Sequence, residues 1–215
     1  MQKFKAWMKK IFTKVNMKKF YFSFIWLMVL LFIADIVTKW IIIKHFGASH
    51  ANYGEEIVLI KNFLSITFYT NNGAAFSLLN DARAFWIIVS IVLSGALIAY
   101  YVVKYKHLNT VTKVALSLMI AGAIGNMIDR CFYWNSTVGF NGVVDWIQVY
   151  LPTGPFPTFN IADSCLVIGV IILLVVLIVD LIKDTLKEGN KEAALKQQNE
   201  ETKNENNSDQ STESK

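Results

Sequence analysis

Four stretches of the chain are apolar over roughly 20 residues each, the length that an α-helix needs to cross the hydrocarbon core of a bilayer. Their approximate bounds are 20–43, 84–103, 111–131 and 156–182. Hydrophobic residues make up 54% of the chain, and they gather in these stretches instead of following the periodic pattern of a soluble domain. The first stretch is too long for a cleaved signal peptide, and no small-residue cleavage site closes it. The sequence therefore predicts an α-helical membrane protein with four transmembrane helices.

Lysines are distributed unequally around these four stretches. Seven lysines precede the first stretch, Lys104, Lys106 and Lys113 lie in or next to the link between the second and third, and four more fall in 183–196. By contrast, 132–155 contains neither Lys nor Arg. Because positively charged loops stay on the cytoplasmic side, both termini and the middle link are predicted to be cytoplasmic. This asymmetry explains the net charge of +5, so no nucleic-acid partner is predicted.

Two polar segments flank the predicted membrane domain of residues 20–182. Residues 1–19 place apolar side chains on one helical face and lysines on the other, which favours a helix lying on an anionic inner leaflet. A basic arm without fixed structure is the alternative. Residues 183–215 are rich in Gln, Asn, Glu, Ser and Lys. Such a segment cannot bury a core, so we predict a disordered cytoplasmic tail.

The links at about 44–83 and 132–158 are predicted to lie on the outer side. In the first link, residues 57–60 and the alternating residues 64–69 read as two β-strands, with a turn at 61–62 between them. A small extracytoplasmic β-sheet is therefore expected. The second link is rich in aromatic residues, whose rings suit the lipid–water interface.

Four aspartates lie inside the apolar stretches or close to their ends. Acids near hydrocarbon are energetically costly and are retained mainly for function. The predicted orientation places all four at one depth, near the outer face of the membrane. These residues are Asp35, Asp129, Asp145 and Asp163.

Helical spacing places an asparagine on the same helix face as two of these acids. Asn126 and Asp129 are three residues apart, as are Asn160 and Asp163, so each pair shares a helix face. The third stretch also contains small residues that let a neighbouring helix approach closely. These are Ala121, Gly122 and Gly125.

Each acid also has a purely structural interpretation. Asp35 could form an ion pair with Lys39 one turn later, and Asp129 could pair with the adjacent Arg130. Asp145 could be an ordinary loop acid. Asp163 has no basic neighbour in the sequence, so a simple ion pair is hardest to defend there.

Other protease chemistries lack their residues. The two cysteines, Cys131 and Cys165, form no CxxC or zinc spacing, so neither a disulfide nor a metal ligand is predicted. No HExxH or GxSxG motif occurs, and all three histidines fall outside the acidic cluster.

Five sequence blocks, in this order, resemble bacterial lipoprotein signal peptidase (signal peptidase II), and the resemblance covers most of residues 20–182. One block alone would be weak, but five in the right order are specific. The blocks are Asp35-Ile-Val-Thr-Lys39, Asn71-Asn-Gly-Ala-Ala-Phe76, Gly125-Asn-Met-Ile-Asp-Arg130, Val143-Val-Asp145 and Phe159-Asn-Ile-Ala-Asp163.

The resemblance implies an intramembrane aspartic endopeptidase with Asp145 and Asp163 as the catalytic pair and no metal or cofactor. In such a pair one carboxyl stays protonated. The implied substrate is a lipid-modified prolipoprotein, whose signal peptide is cleaved before a cysteine that carries diacylglyceryl. Supporting polar residues of the family map to Asp35, Lys39, Asn71, Asn126, Asp129, Arg130 and Asn160.

The resemblance also implies a location in the bacterial inner (cytoplasmic) membrane, with the active site near the periplasmic face. Membrane lipids are the other expected partners, and we expect a monomer. The chain departs from the family in Ala121, in Trp146 and in a longer segment around 135–139, which concerns the outer rim and not the acidic pair.

Two other functions use the same residues. Intramembrane acids also build ion paths, so a proton- or cation-coupled transporter is the main alternative. Its acids should reach mid-membrane or both sides, and its halves should repeat, whereas these acids gather at one face. The third possibility is an assembly factor whose acids only pair helices.

Overall fold

The structure is a computed structural model that describes residues 23–46, 55–71, 83–133 and 142–212. The predicted arm of residues 1–19 and the 135–139 segment lie outside the described residues. The division into arm, membrane domain and tail stays a prediction.

Four helices in the described part of the chain are long and apolar enough to cross a membrane, which confirms the predicted fold class. In the last helix, the part that is apolar enough to cross a membrane is Ile161–Lys191. The helices are α1 (Ile25–Phe46), α2 (Arg83–Lys104), α3 (Thr110–Phe132) and α4 (Ile161–Thr212).

Helix α3 is the most enclosed of the four. Within its membrane-length window 56% of the residues are buried, against 17%, 11% and 11% for α1, α2 and α4. Its sequence is also the most diluted by small and polar residues. Because protein and not lipid surrounds much of α3, these residues suit its position. Asn109 caps the start of α3 by accepting a hydrogen bond from the Thr112 N–H at 2.8 Å.

Glycines bring α3 against its neighbours, as the small residues predicted. A Cβ atom at Gly122 would overlap the backbone carbonyl oxygen of Ala162, in the first turn of α4. A Cβ at Gly125 would lie 2.6 Å from Asp35 Oδ2 and 3.2 Å from the Ala162 Cβ. Both distances are too short for ordinary contact, so glycine is what permits this approach.

A four-stranded antiparallel sheet, in the order β1-β2-β3-β4, accompanies the helices. The predicted hairpin is confirmed, and Asn62 in its turn has the left-handed φ of 59°. The strands are β1 (Glu56–Ile60), β2 (Leu64–Asn71), β3 (Val143–Leu151) and β4 (Gly154–Pro155).

No strand was assigned to the link at 132–158 from the sequence, and the structure places one there. Residues 143–151 form β3, which pairs with β2 along most of its length, so Asp145 is a strand residue opposite Tyr69. Pairing with β2 stabilises this segment, and a partner so distant in sequence leaves no local signal.

The sheet is attached to the C-terminal end of α1 by an apolar cluster. Ile42 and Phe46 of α1 are buried against Phe68 of β2 and Val144 of β3. Trp146 packs against the same cluster. This contact fixes the height of β3, and with it Asp145, relative to α1.

Helix α4 continues to Thr212, through residues that composition predicts to be disordered. Lys, Glu, Ala, Leu and Gln favour helix, which accounts for the continuation. Side chains from Val179 to Lys191 are exposed, as expected of a segment without a core. The chain divides into two units between Leu173 and Leu174.

The glycine contacts generate a stability prediction. Gly122→Ala and Gly125→Ala should each lower the free energy of unfolding by about 1–3 kcal/mol, because the added methyl group must displace α4 or Asp35. Gly95→Ala in α2 is the matched control, since apart from the adjacent residues and the backbone of its own helix no atom lies within 4 Å of the added Cβ, and it should be neutral or stabilising. Thermal unfolding in detergent measures all three. Equal stability of the Gly122 and Gly95 variants would contradict the close approach.

Candidate active site

The Lys39 ammonium group lies between two buried carboxylates. Its Nζ atom is 2.8 Å from Asp35 Oδ2 and 2.8 Å from Asp129 Oδ2, and the three side chains are at most 1% exposed. The predicted Asp35–Lys39 ion pair is therefore confirmed. The ion pair that Asp129 forms here joins it to Lys39 of another helix, which sequence spacing could not reveal.

Each of these carboxylates also holds a backbone amide of another element. Asp35 Oδ1 accepts a hydrogen bond from the Ala162 N–H at 2.9 Å, and so satisfies a free amide in the first turn of α4. Asp129 Oδ2 accepts one from the Val144 N–H at 3.2 Å, at the start of β3. The ion cluster thus joins α1, α3, β3 and α4.

Asn160 and Asp163 cap the start of α4 reciprocally. Asn160 Oδ1 accepts from the Asp163 N–H at 2.8 Å, and Asp163 Oδ2 accepts from the Asn160 N–H at 3.2 Å. This is the geometry of a capping box, with Asp in the position usually held by Glu or Gln. The sequence reasoning placed both residues on one helix face and missed the cap. The Asn-x-x-Asp spacing before an apolar run was the available signal.

The chain returns along β3 to bring Asn160 beside Asp145. After the turn between β3 and β4, Phe159 pairs with Ile147, with N–H···O distances of 2.8 and 3.1 Å. Gln148 Nε2 also donates to the Phe156 carbonyl oxygen at 2.6 Å. The return therefore carries the start of α4 to the level of the acid on β3.

Asp145 is 2% exposed and is held by amides. Its Oδ1 accepts from Asn160 Nδ2 at 2.7 Å, and the Asn71 side chain also hydrogen-bonds it. Burial, reinforced by the negative charge of Asp163, raises the pKa of the Asp145 carboxyl to about 8, against the opposing effects of Lys39 and the two amides. At neutral pH, Asp145 can therefore carry a proton.

Asp163 has a different environment. Its side chain is partly exposed, and its Oδ1 accepts from Asn126 Nδ2 at 2.7 Å. Its Oδ2 accepts from the backbone N–H of Asn160, so both carboxylate oxygens face donors. The start of a helix also favours a negative charge. The two acids are near enough to interact electrostatically, and Asn160 contacts both.

The structure brings all nine predicted site residues into one polar region. Arg130 lies at its edge, where Nη1 is 3.5 Å from Ser90 Oγ and 3.3 Å from the Asn126 carbonyl oxygen. Its guanidinium group interacts electrostatically with Asp163, Asp145 and Asp129.

Sequence reasoning missed Ser90 and the backbone amides of Val144 and Ala162, because such contacts leave no pattern in side-chain type. Two carboxyls in unlike environments can supply an acid and a base.

The sequence is similar to a known protein family and to curated proteins. A sequence model of the family described as "Signal peptidase (SPase) II" matches residues 27–179. The lipoprotein signal peptidase of Staphylococcus haemolyticus (strain JCSC1435) is 40% identical over 161 residues, 74% of this chain and 93% of that protein. That of Staphylococcus carnosus (strain TM300) is 41% identical over 160 residues, 74% of this chain and 92% of that protein.

Two solved structures share the fold. Each is described as a bacterial membrane enzyme structure obtained by the in meso method. The first has a TM-score of 0.59 at 39% identity and covers 72% of this chain and 86% of its own. The second has a TM-score of 0.54 at 38% identity and covers 70% and 88%. The chain belongs to the signal peptidase II family of bacterial membrane proteases.

Proposed function

We propose that the chain is an aspartic endopeptidase that removes the signal peptide from diacylglyceryl-modified prolipoproteins and cleaves before the lipidated cysteine. The relatives named lipoprotein signal peptidase support the substrate class. The observation that carries the aspartic mechanism is the position of Asn160, which donates to Asp145 through its side chain and to Asp163 through its backbone. Asp145 and Asp163 are the catalytic pair.

The unlike environments of the two acids give them different roles. Asp163, held by donors on both oxygens, accepts a proton from water as the water oxygen bonds to the scissile carbonyl carbon. Asp145 donates its proton to the carbonyl oxygen, which avoids an isolated negative charge. The tetrahedral carbon then loses the amine as the C–N bond breaks, and the proton on Asp163 passes to that nitrogen. The proton on the former carbonyl oxygen returns to Asp145 as the new carboxyl group forms, so the pair regains its starting protonation after one cleavage.

The other site residues support the pair. Asn71, Asn126 and Asn160 orient the two carboxyls through hydrogen bonds. Asp35, Lys39 and Asp129 join the helices and β3 that carry the acids, and Arg130 adds a positive charge at the rim.

The substrate enters from the lipid. Most side chains of α1, α2 and α4 within the membrane-length windows are not buried. A signal helix lies against such a surface while its diacylglyceryl chains remain in the bilayer. We also propose that the protein is a monomer with both termini in the cytoplasm. Its site lies near the outer face of the bacterial cytoplasmic membrane.

The first test replaces each acid with its neutral isostere. Asp145→Asn and Asp163→Asn should each reduce cleavage of a lipidated prolipoprotein by about 10²–10⁴-fold or more, because each removes one proton-transfer group. Asp180→Asn, an exposed acid of α4, is the matched control, and an unlipidated prolipoprotein is the substrate control. Full activity in Asp145→Asn or Asp163→Asn would rule out these two residues as the catalytic pair. Loss of folded protein with no separate loss of activity would favour the assembly-factor alternative.

The pH dependence follows from the raised pKa of Asp145. Its protonated form is the active one, so the cleavage rate should fall as pH rises through about 8, by about tenfold per pH unit above it. The measurement is kcat against pH at saturating substrate. A rate that still increases at pH 9 would contradict Asp145 as the proton donor.

Substitution of Asn160 separates helix capping from hydrogen bonding to the acid. Asn160→Ala should lower the unfolding free energy by about 1 kcal/mol through loss of the cap. Asn160→Ser retains a capping oxygen and should recover most of this stability. Neither side chain can donate to Asp145 as the amide does, so both variants should cleave more slowly than wild type. Wild-type activity in Asn160→Ser would show that the amide is not needed.

A further inference from the structure

Three oxygens surround the Lys39 ammonium group. Asp35 Oδ2 and Asp129 Oδ2 each lie 2.8 Å from Nζ, and Asn126 Oδ1 accepts a hydrogen bond from it at 3.2 Å. An ammonium group donates hydrogen bonds and cannot accept them. The group that faces it from Asn126 must therefore be the amide oxygen.

This contact decides which way the Asn126 amide points. The oxygen of Asn126 also accepts from Asn160 Nδ2 at 3.2 Å, and its nitrogen donates to Asp163 Oδ1 at 2.7 Å. A flipped amide would place its NH₂ group against the Lys39 ammonium and its oxygen against the carboxylate of Asp163. That arrangement is unfavourable at both ends, because Lys39 opposes the NH₂ group and the Asp163 carboxylate opposes the oxygen.

The orientation has a chemical consequence at Asp163. Asn126 Nδ2 donates to Oδ1, and the Asn160 N–H donates to Oδ2. Protonation of Asp163 would weaken one of these hydrogen bonds, so they favour its ionised form. Asp145 also accepts from two amides, Asn160 and Asn71, but it is the more deeply buried of the two acids, and burial favours the neutral carboxyl. The proton of the pair is therefore assigned to Asp145.

We propose that Lys39 is a positioning residue that orients the Asn126 amide and so makes Asp163 the base and Asp145 the acid of the pair. The inference rests on the proposed function, in which these two acids act together. It gives Lys39 a role beyond joining α1 to α3, because a structural ion pair alone would not direct the Asn126 donors.

Other charges also face Asp163. They are Asp35 and Lys39 from α1, Arg130 from α3, and Asp145 from β3. Replacing Lys39 also leaves the charges of Asp35 and Asp129 uncompensated, so a variant that keeps the net charge of the cluster is needed beside the single replacement.

The test uses a neutral side chain of similar length. Lys39→Met removes the donors, and Lys39→Met/Asp129→Asn does so while keeping the net charge of the cluster at its original value. Lys44→Met, an exposed lysine of the same helix, is the matched control. Both Lys39 variants should show kcat reduced by about tenfold or more with little change in KM. Their acid limb of kcat against pH should move up by about one pH unit, whereas Lys44→Met should match wild type.

An infrared measurement tests the same point without activity. In the Asp145→Asn background, the C=O band of protonated Asp163 is identified by its loss in Asp145→Asn/Asp163→Asn. Adding Lys39→Met should make this band appear at a higher pH on acidification. If wild type fails to cleave the lipidated substrate, the proposed function fails while this arm still decides the role of Lys39. An unchanged band and pH profile would overturn the positioning role. So would loss of folded protein in both Lys39 variants while Lys44→Met folds, since Lys39 would then be purely structural.

Discussion

One positive charge enclosed by two negative ones organises the part of this protein where its helices and sheet meet. Lys39 sits between Asp35 and Asp129 with almost no exposure to solvent. Removing one partner from such a buried cluster typically costs about 3–5 kcal/mol, because an uncompensated charge remains. The spare acceptor capacity of the carboxylates binds the first turn of α4 and the start of β3. Asp35 and Asp129, which compensate the buried charge of Lys39, therefore also position the elements that carry Asp163 and Asp145.

The same constraint explains the character of α3. A helix that faces lipid on most sides is apolar around its circumference, whereas α3 contains Ser117, Gly122, Gly125 and Asn126 within its span. In the structure these four residues are buried or partly buried. The glycines admit the first turn of α4 and Asp35 at close range, and Asn126 reaches Asp163 across the same gap. The weak membrane signal of α3 and its central position have one cause.

Much of the fold follows from local pattern. The four spans are visible as apolar length, and the hairpin of β1 and β2 is visible as alternation around a turn. The membrane-protein class and the grouping of the acids follow from these two signals together with the lysine distribution. Strand β3 was missed because its partner β2 is distant in the sequence. The Lys39–Asp129 pair was missed for the same reason, since it joins two helices. Both are non-local contacts, and periodicity in a single segment cannot show which other segment it meets.

The asymmetry of Asp145 and Asp163 also lay beyond the sequence. Two aspartates look alike in a motif, and only the surroundings separate them: a strand position under the cover of β2 for one, the capped start of α4 for the other. In the proposed function these carboxyls act as one unit that holds one proton. An infrared difference spectrum at pH 7, between wild type and the Asp145→Asn/Asp163→Asn double variant, counts the protons on the pair. One protonated carboxyl is expected in that difference, whereas a count of zero or two would show that the pair does not share a proton.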